Sequence, residues 1–298
     1  MMNDEITEKL QLVDSVSTYI ENLRTLQNVW CEEDWFMVYR GENEVFEMPC
    51  IPSIYREHDI YQTSSYEVNM FMAMRQNELS NSTDYLHNAI DAQHDGFPSR
   101  LLDVTYNSLI ALYFAVTPYY YQDESASDDK DGMVYVFKYD EVYSPEAANT
   151  KTLYEEAMKG GGNVKSSPFL AYHHPLIDHC KQNKRIVAQH GAFILFQGKT
   201  PIPVPNYLMC GVRISRDAKK KIRNELKTMF GIYTGSVYPE VELMQEEIRA
   251  CSLRINSESE DVEKATIKDL EKEYIYFADC CDYFVREKKN KGRAYQTD

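Results

Sequence analysis

The sequence predicts an α+β fold: a small mixed sheet of about five or six strands flanked by helices, with an N-terminal helix and a C-terminal helical extension. Three observations carry that prediction. Apolar residues recur at three- and four-residue spacing in several segments of helical length, short apolar or alternating runs lie between them, and no internal repeat is apparent.

Taken in order, residues 4–27 read as an amphipathic helix with Ile6, Leu10, Val13, Val16, Ile20 and Leu23 on one face. Residues 35–39 form a short apolar run, read as a strand that delivers Arg40 and Gly41 to a loop. Ser64 and Ser65 open a helix to about Glu78, with Glu67 in its first turn. A further helix over about 83–93 ends at Gly96 and Pro98. The stretch 104–115 is strongly apolar and helical in character, its helix placed over 107–116. Residues 122–131 are acidic and small, which predicts a solvated connection. Strands are expected at 132–139, 169–172, 191–197 and 208–214, the last preceded by an extended linker bearing Pro201, Pro203 and Pro205. Ser215 is expected to cap a helix to about Met229, with another helix from Glu240 and a long charged one over 261–289. The implied organisation is an N-terminal helix (1–28), a central domain (29–250) and a helical extension (251–298).

Bulk properties exclude several classes. A formal charge of −15 opposes a broad nucleic-acid surface, which needs clustered lysine and arginine. The 7 cysteines are irregularly spaced, with no C-x-x-C pair or paired-histidine spacing for zinc, so no metal is expected. No apolar run approaches the roughly 20 residues that span a bilayer. With no leader pattern, the expectation is a cytoplasmic protein that does not engage membranes. Gly160-Gly161-Gly162 lacks the lysine and hydroxyl of a phosphate loop and reads as a hinge. The 23 tyrosines, Tyr119-Tyr120-Tyr121 among them, read as packing at the rim of a core, with base stacking as the alternative.

The chemistry concentrates in the stretch from Gln93 to Asp103, Gln-His-Asp-Gly-Phe-Pro-Ser-Arg-Leu-Leu-Asp. Charges this close to an apolar segment persist only if they pair, bind something, or both. A pairing of Arg100 with Asp103 is expected, and either Asp103 or Thr105 is expected to cap the helix that follows. Arg40, leaving a strand beside a glycine, offers a planar fork to a phosphate or carboxylate while Gly41 lets backbone approach closely. His94 and His190 each follow a glutamine and sit near a glycine, as turn histidines suited to polar contact or proton transfer.

These elements resemble the FRG domain. Tyr39-Arg40-Gly41 matches its first signature, Pro52-Ser53-Ile54-Tyr55-Arg56 the Pro-Ser-x-x-Arg element, and Gln93 to Asp103 the second signature, with Ser99 for the usual Thr and Val104 for the usual Trp. Gln189-His190-Gly191-Ala192-Phe193 and the Gly231-Ile232 and Val237-Tyr238-Pro239-Glu240-Val241 stretches resemble its later elements. The resemblance implies a site where Arg40, Gly41, Arg56, Arg100, Asp103 and Gln189 hold a phosphate-containing ligand, with His94 as polar contact or proton carrier. The layout also resembles that of ADP-ribosyltransferases: an arginine on the first strand, a Thr63-Ser64-Ser65 cluster, and Glu240-Val241-Glu242 downstream. That comparison implies NAD as substrate and Glu240 as the catalytic acid, in a bacterial defence or toxin setting. A non-catalytic module binding a nucleotide, a nucleic-acid end, or a protein partner through the helical termini, is the competing class. A metal-dependent hydrolase or nuclease using Asp128, Asp129 and Asp131 ranks last.

Overall fold

A computed structural model of the chain describes residues 9–30, 34–56, 66–80, 82–159, 168–179, 184–198, 200–240 and 248. The chain divides into two units, Met1–Met244 and Gln245–Asp298; the expected helices beyond Glu240, the Gly160 hinge and the Thr63–Ser65 cluster lie outside the described residues.

Among the described residues the first helix is α1 (Val16–Trp30). It begins later than the hydrophobic periodicity implies because Ser15 accepts the Thr18 amide at 3.3 Å and halts the helix there. Upstream, Val13 instead makes a parallel bridge to Ile214. The strands are β1 (Phe36–Glu42), β2 (Leu101–Thr105), β3 (Gly132–Tyr139), β4 (Leu176–Ile177), β5 (Gly191–Leu195) and β6 (Met209–Ile214). They form one sheet in the order β4-β5-β2-β1-β3-β6, antiparallel at every pair of named strands.

Around the sheet lie α2 (Tyr66–Gln76), α3 (Tyr85–His94), α4 (Ser108–Val116), α5 (Ala148–Lys159), α6 (Lys184–Gln189), α7 (Lys219–Phe230) and α8 (Thr234–Val237). On one side, Tyr19, Leu26, Leu112, Ile222 and Leu226 of three helices bury Val134, Val136 and Val212 of the sheet. Helix α4 is apolar on every side because it lies between the sheet and other helices. Helix α7 stops at Gly231 (φ +65), where the amides of Gly231 and Ile232 bond back to Lys227 and Leu226. A second core gathers Val38, Ile54, Leu102, Ile194 and Phe196, and a third Phe71, Leu86, Tyr154 and Leu195.

The apolar stretch read as helical from residue 104 begins as strand β2, whose Leu101–Thr105 pair residue by residue with β5. A strand buried on both faces at every residue but Asp103 and a buried helix turn share much the same apolar signature, so periodicity could not separate them. Asn107 caps α4 with its own side chain, accepting the Leu109 amide at 3.0 Å; neither Asp103 nor Thr105 does so. Residues 168–172 form a 3-10 turn rather than a strand. The acidic loop is docked, not merely solvated: Arg223 grips Asp128 with two bonds of 2.7 and 2.6 Å, and Arg213 meets Asp131 at 2.7 Å.

His174 is buried 4.4 Å from the Phe196 ring. Burial pulls its pKa down from an ordinary 6.5 to about 4. The unfolded chain therefore takes up a proton between these values that the folded protein refuses. Stability from this group is complete above pH 6.5 and is lost as pH falls towards 4, by about 3 kcal/mol. Urea unfolding at pH 7.5 and pH 4 should show that loss, and His174→Gln should remove it; equal acid sensitivity in both proteins would contradict the linkage.

Candidate functional site

Strand β1 pairs with β3 along its whole length but meets β2 at a single rung, Tyr39 opposite Thr105. Beyond that rung the ladder stops, and a groove opens between Arg40–Glu42 on one side and Leu101–Asp103 on the other. The Phe196 amide bonds to the Arg100 carbonyl and the Tyr106 amide to the His190 carbonyl, so the backbone groups of even-numbered residues along β2 face β5 and those of odd-numbered ones face β1. The Asp103 carbonyl thus points to where β1 would continue the ladder. Nη1 of Arg40 supplies the missing donor at 2.9 Å.

The groove has two lobes, of about 400 and 270 Å³. The first is walled by Phe46, Phe114, Thr117 and Tyr238, the second by Pro52, Ile90, Gln93, Phe97 and Phe193. Arg40, Arg56, Asp103, Tyr119, Arg185 and Gln189 line both and mark where the lobes meet.

Three guanidinium groups converge there, each held differently. Arg40 donates from Nε to Glu42 Oε1 at 3.1 Å. Arg56 approaches the same oxygen at 3.6 Å, donates to the Ile51 carbonyl and lies over the Phe46 ring at 5.2 Å. Glu42 is buried and serves both, while its Oε2 has no hydrogen-bond partner among the described residues. Arg185 stacks on the Tyr238 and Tyr120 rings at 4.5 and 5.4 Å and meets Glu240 at 3.8 Å. With 40 % of its side chain exposed, Arg56 is the most open of the three.

Asp103 is the one residue of β2 that stays exposed, and it sits on the groove floor. Crowding by the walls removes water from around its carboxyl and raises its pKa; Arg40, the Gln93 hydrogen bond and Arg185 oppose that shift. Gln93 donates to Asp103 Oδ2 at 2.6 Å and accepts from Ser99 Oγ at 2.8 Å.

The sequence-derived candidates separate in space. Arg40, Gly41, Arg56, Asp103 and Gln189 meet at the groove. Gln189 holds its place through its carbonyl, which accepts from Thr105 Oγ1 at 2.6 Å. Arg100 does not join them. Its guanidinium is buried and donates to Glu67 at 2.5 Å, to the Tyr55 hydroxyl at 3.0 Å and to the Gly198 carbonyl at 2.9 Å. The expected pairing with Asp103 fails because the two residues stand three positions apart in extended chain, which sends their side chains to opposite faces. Glu240 is not among the groove-lining residues and lies against Arg185. His94 closes α3, and its side chain lies outside the described residues. His190 takes a left-handed turn (φ +48) before β5 and does not line the groove.

Gly41 has a different reason from the one expected. A Cβ there would lie 1.9 Å from the Ala111 carbonyl oxygen and 2.7 Å from the Ala115 amide nitrogen. The glycine seats α4 on the sheet. Gly132 on β3 does the same beside Ala115. Sequence reasoning missed Arg185, which lies on a helix too short for periodicity to reveal; its place four residues before Gln189 was the available signal. Tyr119, read as rim packing, lines both lobes.

Residues 36–124 match the family model of the FRG domain. The chain carries an FRG domain. The matched segment runs from β1 past α4 and holds Arg40, Arg56, Gln93, Asp103 and Tyr119, so the groove is largely built from it. Arg185, Gln189 and Tyr238 complete the groove from beyond it. No curated protein and no solved structure matches the chain. Among the described residues no helix is long and apolar enough to cross a membrane.

Proposed function

We propose that the FRG-domain groove binds a phosphate-bearing nucleotide. The observation that carries this reading is the convergence of Arg40, Arg56 and Arg185 where two ring-walled lobes meet. Guanidinium forks suit phosphate oxygens, and aromatic walls suit a base. Glu42 lies between two of the arginines and orients them without matching their combined charge.

Calorimetry with pyrophosphate, ADP and NAD tests the proposal. Arg56→Ala should weaken binding of all three by roughly tenfold or more, since charged hydrogen bonds contribute about 1.5–3 kcal/mol. The circular dichroism spectrum should not change, because Arg56 is the most open of the three arginines. Absence of binding by the unaltered protein would end the proposal.

A second reading, NAD-dependent ADP-ribosyl transfer, is supported by one feature: a carboxyl, Asp103, beside the arginines with its pKa held up by its surroundings. The resemblance supplies the setting, a bacterial defence or toxin system. Nicotinamide release from NAD, lost in Asp103→Ala, would support transfer. Binding without release would support a non-catalytic nucleotide- or partner-binding module.

A further inference from the structure

We infer that Asp103 reads a sugar hydroxyl of the ligand, so that the groove selects ribonucleotides over their deoxy counterparts, and that Gln93 and Ser99 are positioning residues for it. This rests on the nucleotide-binding reading above. Oγ of Ser99 accepts the Leu101 amide at 3.1 Å, which leaves its own proton for Gln93 Oε1 at 2.8 Å. The Gln93 amide is therefore fixed with its NH2 towards Asp103, where it donates to Oδ2 at 2.6 Å.

Among the described residues Asp103 forms no salt bridge, and Gln93 is the one side chain that hydrogen-bonds its carboxylate. Arg40 gives its Nη1 to the Asp103 backbone carbonyl and its Nε to Glu42. An oriented, accessible acceptor therefore faces the groove and needs a donor. In a nucleotide whose phosphates lie on the arginines, the donors nearest the phosphates are the sugar hydroxyls. An acceptor of this kind discriminates against a ligand without the hydroxyl, because the carboxylate is then left without that bond.

The test compares ADP, 2′-deoxy-ADP, 3′-deoxy-ADP and pyrophosphate by calorimetry. ADP should bind roughly 10- to 100-fold more tightly than at least one deoxy form. Asp103→Ala should abolish that ratio while pyrophosphate binding persists, which separates loss of the reader from loss of the fold. Ser99→Ala should shrink the ratio and Ser99→Thr should keep it, an outcome that loss of packing alone does not produce. Equal affinity for ADP and both deoxy forms overturns the inference and leaves nucleotide binding standing. Failure of pyrophosphate and every nucleotide to bind overturns both.

Discussion

Gly41→Ala should lower the unfolding free energy by about 3 kcal/mol or more. The added methyl meets backbone atoms of α4, at 1.9 Å from the Ala111 oxygen and 2.7 Å from the Ala115 nitrogen, and backbone cannot rotate away as a side chain can. Relief requires α4 to lift from β1, which would disturb Phe114 and Thr117 in the groove wall as well. Gly211→Ala is the matched control. Its methyl would meet the flexible Met133 sulfur at 3.1 Å, and the expected loss is about 1 kcal/mol or less. Denaturant unfolding of the two variants decides the matter, and equal losses would refute the seating role.

Arg100→Ala should cost about 3–5 kcal/mol, because it leaves Glu67 buried without its counter-charge. The pair is 8 % and 5 % exposed, and burial already raises the pKa of Glu67 against the opposing effect of Arg100. The Tyr154 hydroxyl adds a bond to Glu67 at 3.1 Å, so the network ties α2 and α5 to β2. Arg100→Met combined with Glu67→Gln should recover much of the loss, since neither partner is then left charged. Nucleotide affinity of the folded double variant should match that of the unaltered protein. A selective loss of affinity with stability intact would return Arg100 to the binding site.

The fold class and most helices were legible in the sequence because their apolar faces repeat at helical spacing, as Val16 and Leu23 do in α1, although Ile20, read on the same face, is exposed and Tyr19 and Leu26 are buried in its stead. Strand β2 was hidden by its burial on both sides, and β4 by its length of two residues. For the site, the motifs located the right stretches but not the direction of each side chain. Arg100 and Asp103 stand three positions apart in extended chain, so one enters a core and the other the groove. Gly41 was legible as a requirement, yet what requires it is a helix distant in sequence, met at Ala111 and Ala115. Arg185 carried no motif of its own.

The single rung between β1 and β2 has a mechanical consequence. Each jaw of the opening is stitched along its outer side, β1 to β3 through seven residue pairs and β2 to β5 through five. Neither can swing without unpicking that stitching, so the aperture is set when the chain folds. On the nucleotide-binding reading proposed above, a guest would have to suit the gap as it stands, and selection would rest on fit rather than on closure around it.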